Sequence, residues 1–69
     1  MKHVRLGSSA IATVTYDEEV RSLDVEFRSG DTYRYFNVSK SIYRELLKAE
    51  SAGAYWNEVK DKFPFVKLN

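Results

Sequence analysis

The chain has no cysteine, one histidine, one proline, three glycines and almost no excess of charge. Without cysteine, neither disulfides nor thiolate metal ligands can staple the fold. His3, the lone histidine, sits near the N-terminus with no motif around it, where a disordered or surface side chain is expected. One proline and three scattered glycines leave no Pro/Gly linker, and there is no repeat or low-complexity tract. Residues 1–69 are therefore expected to form one domain, with a core over about residues 8–68. Eleven basic and ten acidic residues leave a net charge of +1, so any attraction to nucleic acid must come from a local patch. No run is long or apolar enough for a transmembrane helix, and the N-terminus lacks the apolar stretch of a signal peptide. The expectation is a cytoplasmic protein without a membrane partner, in a bacterium or, if phage-encoded, in the host cytoplasm.

What is abundant is aromatic surface. Sixty-nine residues bury a marginal core, and five Tyr, four Phe and one Trp offset that deficit because each large ring buries much area. Assembly into a homo-oligomer is the other route by which so short a chain gains burial.

Ala10 to Tyr16 is rich in β-branched and aromatic residues and predicts a strand, its phase broken near Thr13 in the manner of a β-bulge. Asp17-Glu18-Glu19 is a polar turn, and its spacing matches no calcium loop. Leu23, Val25 and Phe27 then alternate with Ser22, Asp24, Glu26 and Arg28, the period of a half-buried strand. A three-residue loop, Arg28-Ser29-Gly30, pairs Val25 with Tyr33, Leu23 with Tyr35 and Asp24 with Arg34. Tyr33 and Tyr35 then face the core, and Arg34 faces out toward Asp24. A two-residue loop would oppose Arg34 to Val25, a poor match.

Ser39 is a suitable N-cap for a helix over Lys40 to Glu50 that buries Ile42, Tyr43, Leu46, Leu47 and Ala49. Ser51 caps a second, short helix over roughly Ala54 to Lys62, burying Tyr55, Trp56 and Val59. Phe63 to Leu68 is proline-interrupted and predicts an extended tail along the sheet or core. The expected fold class is α+β: a small three-stranded antiparallel meander followed by two helices packed on one face and an extended C-terminal tail, in the order β-β-β-α-α.

The ordered set Ser8-Ser9, Ile11, Val14, Tyr16-Asp17, Leu23-x-Val25-x-Phe27, Gly30, Tyr33-x-Tyr35, Val38, Tyr43-x-x-Leu46, Ala49-x-Ser51-x-Gly53 and Asn57-x-Val59 resembles the KTSC domain. That family is named for an appendage of some lysyl-tRNA synthetases and also occurs as small stand-alone bacterial and phage proteins. Ser39 stands where the family often has proline, and Tyr55-Trp56 fills the place of its aromatic pair. The resemblance implies an RNA-binding role and supplies no catalytic residues to carry over.

The chemistry readable from the residues agrees with a binder rather than an enzyme. Ser8 and Ser9 lack a positioned base and fit a loop or capping role. No cofactor and no metal site is expected. Lys40, Arg44 and Lys48, spaced four apart on the first helix, could track phosphates; Glu45 and Glu50 dilute their field. Arg34 and Phe36 lie on the outer sheet face, and Trp56 with Asn57 could stack on and hydrogen-bond to a base. These seven residues are the candidate ligand-contacting set, with Tyr33 and Tyr35 as a structural motif. The leading expectation is a non-enzymatic RNA-binding accessory domain. The alternatives are a small oligomeric protein that sequesters a nucleotide or other phosphate-bearing molecule, and a protein-interaction module acting through Phe63 to Leu68.

Overall fold

Alternation in the Ser22 to Phe27 segment builds the centre of the molecule. The computed structural model describes residues 1–69. Five strands, β1 (Lys2–Arg5), β2 (Ile11–Asp17), β3 (Ser22–Phe27), β4 (Thr32–Tyr35) and β5 (Phe65–Lys67), form one antiparallel sheet in the order β1-β2-β3-β4-β5. Two helices, α1 (Lys40–Lys48) and α2 (Ala52–Val59), followed by a 3-10 turn at Lys60–Lys62, connect β4 to β5 and pack on one face of the sheet. No helix is long and apolar enough to cross a membrane.

The expected three-stranded meander with an extended C-terminal tail is thus corrected to a sheet of five strands. β1 was hidden because three of its four residues are Lys, His or Arg and only Val4 is drawn toward the core. His3 lies on this strand and is a surface side chain, one of the two expected outcomes, with Nδ1 2.7 Å from the Thr15 hydroxyl. β5 was hidden because Pro64 interrupts the pattern, yet Pro64 precedes the strand and its carbonyl still accepts from the Phe36 N–H at 2.9 Å. The helices also shift: α1 ends at Lys48 instead of Glu50, because Ala49 is already extended. α2 starts directly after its cap at Ala52 and gives way to the 3-10 turn at Lys60.

The local chemistry acts as its residue types dictate. The Ser39 hydroxyl accepts from the Ile42 N–H at 3.2 Å and the Ser51 hydroxyl from the Ala54 N–H at 3.2 Å, each cap contributing about 1 kcal/mol. Gly30 has φ +103°, a conformation that favours glycine. The β3–β4 register pairs Leu23 with Tyr35, Asp24 with Arg34 and Val25 with Tyr33, as the three-residue loop requires. A bulge between Ile11 and Thr13 turns Ile11 to the same side as Val14 and Tyr16, and all three are buried.

The core lies between sheet and helices and comprises Ile11, Val14, Tyr16, Leu23, Val25, Tyr35, Val38, Tyr43, Leu46, Ala52 and Trp56. Fully burying a side chain such as Leu23 or Leu46 contributes about 1.5–3 kcal/mol. Tyr16 stacks on Tyr43 with centroids 4.5 Å apart, and its hydroxyl donates to the Val38 carbonyl at 2.7 Å, tying β2 to the chain just before α1. At the other end, the Ser8 hydroxyl accepts from the N–H groups of Ala10 and Ile11, both at 3.1 Å. The Arg28 guanidinium donates to the carbonyls of Ser8 and Leu6, both at 3.0 Å, and holds the β1–β2 connection against the end of β3.

Gly53 sits where α2 meets this connection. A Cβ added there would lie 2.7 Å from the Ala10 Cβ. In an open helix Gly→Ala gains up to about 1 kcal/mol, but here the overlap costs about 1–3 kcal/mol. Gly53→Ala should therefore destabilise the wild type in a urea titration and turn neutral or stabilising in an Ala10→Gly background. Equal losses in both backgrounds would show that this contact is not the cause.

Candidate functional site

The sequence-selected residues fall on separate surfaces. Arg34 lies on the outer sheet face, where its Nε and Nη2 donate to the two oxygens of Asp24 at 2.7 and 2.9 Å. That bidentate partner raises the guanidinium pKa further and occupies the fork a phosphate would use. Phe36 is partly exposed two residues along the same strand direction. The rest of this face carries Thr13, which donates to Glu26 at 2.8 Å, and the His3–Thr15 pair.

Lys40, Arg44 and Lys48 are exposed on α1, which packs against the opposite face of the sheet through Tyr43 and Leu46. The Lys40 ammonium contacts Glu18 in the β2–β3 turn at 2.7 Å, and this hydrogen bond holds the Glu18 carboxyl below its ordinary value. Arg44 and Lys48 form no ion pair. Trp56 is fully buried, so its faces are already covered. Tyr35 meets it edge-on at 4.9 Å, and Phe63 stacks on it at 5.7 Å. Asn57, its neighbour, is exposed. The structure therefore does not gather these seven residues into one site.

What it gathers instead is a cleft of about 210 Å³ lined by Phe27, Tyr33, Tyr35, Lys60, Asp61 and Phe65. Tyr33 and Phe27 project from the helix-side face of β4 and β3, one step nearer the Gly30 turn than the fully covered Tyr35 and Val25. Here the helical layer no longer covers the sheet, so both rings are half-buried. Phe65 stands beside them on β5, 57% exposed, with centroids 5.6 Å from Tyr33 and 5.9 Å from Tyr35. Lys60 and Asp61 form the facing wall from the 3-10 turn. Lys67 is paired with Tyr33 in the sheet, and its ammonium lies 3.5 Å from Asp31. The cleft is smaller than the roughly 300–1,000 Å³ typical of whole small-molecule sites; it has room for one flat ring system, with one cation, Lys60, and one carboxylate, Asp61, on the facing wall. No group of three or more His, Asp or Glu side chains converges to hold a metal ion.

Sequence reasoning did not single out Phe27, Lys60 or Asp61 and treated Tyr33 as core. The strand alternation placed Phe27 and Tyr33 on the helix side correctly. It carried no information on how far the short α2 would extend over them.

Burial pushes the Tyr35 hydroxyl above its ordinary 10.0, partly opposed by the Trp56 indole N–H, which meets no partner in full hydrogen-bond geometry. Burial also raises Tyr16, against the pull of Arg21, and Tyr43, where Tyr16 adds to it. The Tyr43 hydroxyl is buried without a partner.

A KTSC domain model matches residues 7–63. A Stutzerimonas stutzeri protein named only as uncharacterized is 44% identical over 59 residues, spanning 86% of this chain and 83% of that protein. A lysine–tRNA ligase of Nostoc punctiforme is 37% identical over 62 residues, spanning 88% of this chain but only 11% of the ligase. Among solved structures, a KTSC domain protein from Yersinia pestis superposes with a TM-score of 0.92 at 30% identity, covering 99% of this chain and 97% of that one.

A raised phenol pKa stabilises the fold fully below the unfolded value, and the gain is lost as pH climbs through the folded value, because the unfolded chain releases its protons first. Urea midpoints should be flat from pH 8 to 9 and fall above about pH 10. Tyr43→Phe should be near neutral at pH 7, since it removes an unpartnered hydroxyl, and should flatten the alkaline decline. Tyr16→Phe should cost about 1–3 kcal/mol at pH 7, because it strips the donor from the Val38 carbonyl.

Proposed function

Because this chain belongs to the KTSC domain family, we propose that it is a non-enzymatic cytoplasmic binding module for single-stranded RNA, seating one base in the aromatic cleft. The observation that carries this reading is the half-open ring set of Phe27, Tyr33 and Phe65 facing Lys60. Stacking of a base on protein aromatics contributes about 1–3 kcal/mol and accepts any base. Unlike Arg34 and Lys40, whose charges are closely engaged by Asp24 and Glu18, Lys60 forms no ion pair and is free to meet a phosphate. The occurrence of the same domain type within lysine–tRNA ligases supports an accessory role beside RNA.

The small size of the cleft favours one second reading, a nucleotide-type small molecule held by the same residues. Either ligand stacks its base against Phe65; only RNA adds phosphate contacts along a strand. Each phosphate neutralised by a single-strand binder steepens the salt dependence by a slope of about 0.7.

Fluorescence anisotropy with a short labelled RNA single strand tests the proposal. Phe65→Ala should weaken binding by about 5- to 150-fold, and Lys60→Glu should both weaken it and reduce the salt slope. Displacement of the RNA by low concentrations of a mononucleotide selects the second reading. Undetectable RNA binding, or binding lost with Arg44→Glu but not with Phe65→Ala, would remove the cleft from the account.

A further inference from the structure

β5 is an edge strand of unusual character. The Phe36 N–H donates to the Pro64 carbonyl and the Leu68 N–H to the Thr32 carbonyl. By the two-residue period of an antiparallel ladder, Pro64, Val66 and Leu68 turn their backbone groups toward β4. Phe65 and Lys67 therefore direct their N–H and C=O groups to the open edge. The side chains there are apolar and uncovered: Phe65, Val66 and Leu68 are all exposed. The opposite edge, β1, is guarded by Lys2, His3 and Arg5, the charged dressing that keeps edge strands from pairing. β5 carries one cation, Lys67, which is already engaged with Asp31.

We infer that β5 pairs with β5 of a second copy of this chain, across a two-fold axis at Val66, to form a continuous ten-stranded sheet. In that register Phe65 of each copy exchanges both backbone bonds with Lys67 of the other, giving four new hydrogen bonds. Val66 meets Val66, and Leu68 meets Pro64, so the outer-face stripe is apolar on both sides. On the helix side each Phe65 ring lies beside the ammonium of Lys67 from the other copy, a cation–π pair. No like charges are opposed. Centring the axis on Lys67 would oppose two ammonium groups, and centring it on Phe65 would lose half the bonds. Pairing β5 with β1 is head-to-tail and would generate open filaments, whereas the two-fold pairing closes on itself.

The pairing also changes the cleft. Lys67 of the second copy arrives beside Phe65 at its mouth; its ammonium stands 3.5 Å from its own Asp31 and would leave that carboxylate to meet the phosphate of a stacked base. That consequence rests on the RNA reading above; the pairing itself does not, and it is measured without ligand.

Sedimentation velocity of the ligand-free chain from about 5 µM to about 500 µM should show a concentration-dependent monomer–dimer equilibrium. Val66→Lys, which places like charges at the axis, should weaken dimerisation at least tenfold. Lys67→Pro, which removes a donor pointing to the open edge and none pointing to β4, should do the same. Both variants should keep the wild-type far-UV circular dichroism. In the wild type, amide exchange at Phe65 and Lys67 should slow as concentration rises. A chain that stays monomeric throughout, or a dimer that survives both substitutions, would overturn the pairing. Unchanged RNA affinity in a monomeric Lys67→Pro variant would overturn only the contribution of Lys67 to the cleft.

Discussion

The turn closed by Gly30 settles the direction of every side chain in the second half of the sheet. Its positive φ completes a three-residue connection, and a slip of one residue would exchange the two faces of β4. Tyr33 and Tyr35 would then face solvent and Arg34 would be driven under the helices. With the observed register, Tyr35 closes the core, Tyr33 floors the cleft, and Arg34 is left to Asp24. The register of β5 follows from that of β4, so Phe65 owes its position to the same turn. Asn69 reinforces it: its side-chain amide donates to the Gly30 carbonyl at 2.7 Å and its oxygen accepts from the Thr32 N–H at 2.8 Å.

The second controlling fact is that two short helices cover only part of a five-stranded sheet. Where they cover it, the aromatic rings become core. Beyond them, the same alternation of side chains becomes a surface. Phe63, Trp56, Tyr35, Phe65, Tyr33 and Phe27 form one unbroken series of ring contacts that runs from the interior to the open cleft. A ligand ring in the cleft would therefore press on side chains packed against Trp56. The cleft and the hydrophobic core are two ends of one packed cluster.

Much of this was legible in the residues where local rules decide. The β3–β4 register, the bulge before Thr13 and both serine caps follow from side-chain period, loop length and hydroxyl placement, and the structure carries all of them. The two edge strands were not legible. β1 and β5 are four and three residues long, too short for a pattern, and they exist because a neighbouring strand offers bonds. The even spacing of Lys40, Arg44 and Lys48 was visible, but the partner of Lys40 comes from a turn distant in sequence. The cleft was invisible for the same kind of reason: Phe27, Tyr33, Lys60 and Phe65 meet only through the tertiary arrangement. Trp56 shows the converse limit, since residue type alone does not distinguish a stacking platform from a core anchor.

β5 is reached by the chain only after both helices have crossed over the sheet, and within the chain it is bonded to β4 alone. Bringing β5 to β4 across so long a connection costs more closure entropy than the tight β3–β4 turn does. Release of β5 would take Phe65 away from Tyr33 and Tyr35 while leaving Leu23, Val25, Leu46 and Trp56 packed. The wall of the cleft is thus built on a strand bonded on one side only, and a local opening of that strand would uncover the aromatic floor while the core stayed packed.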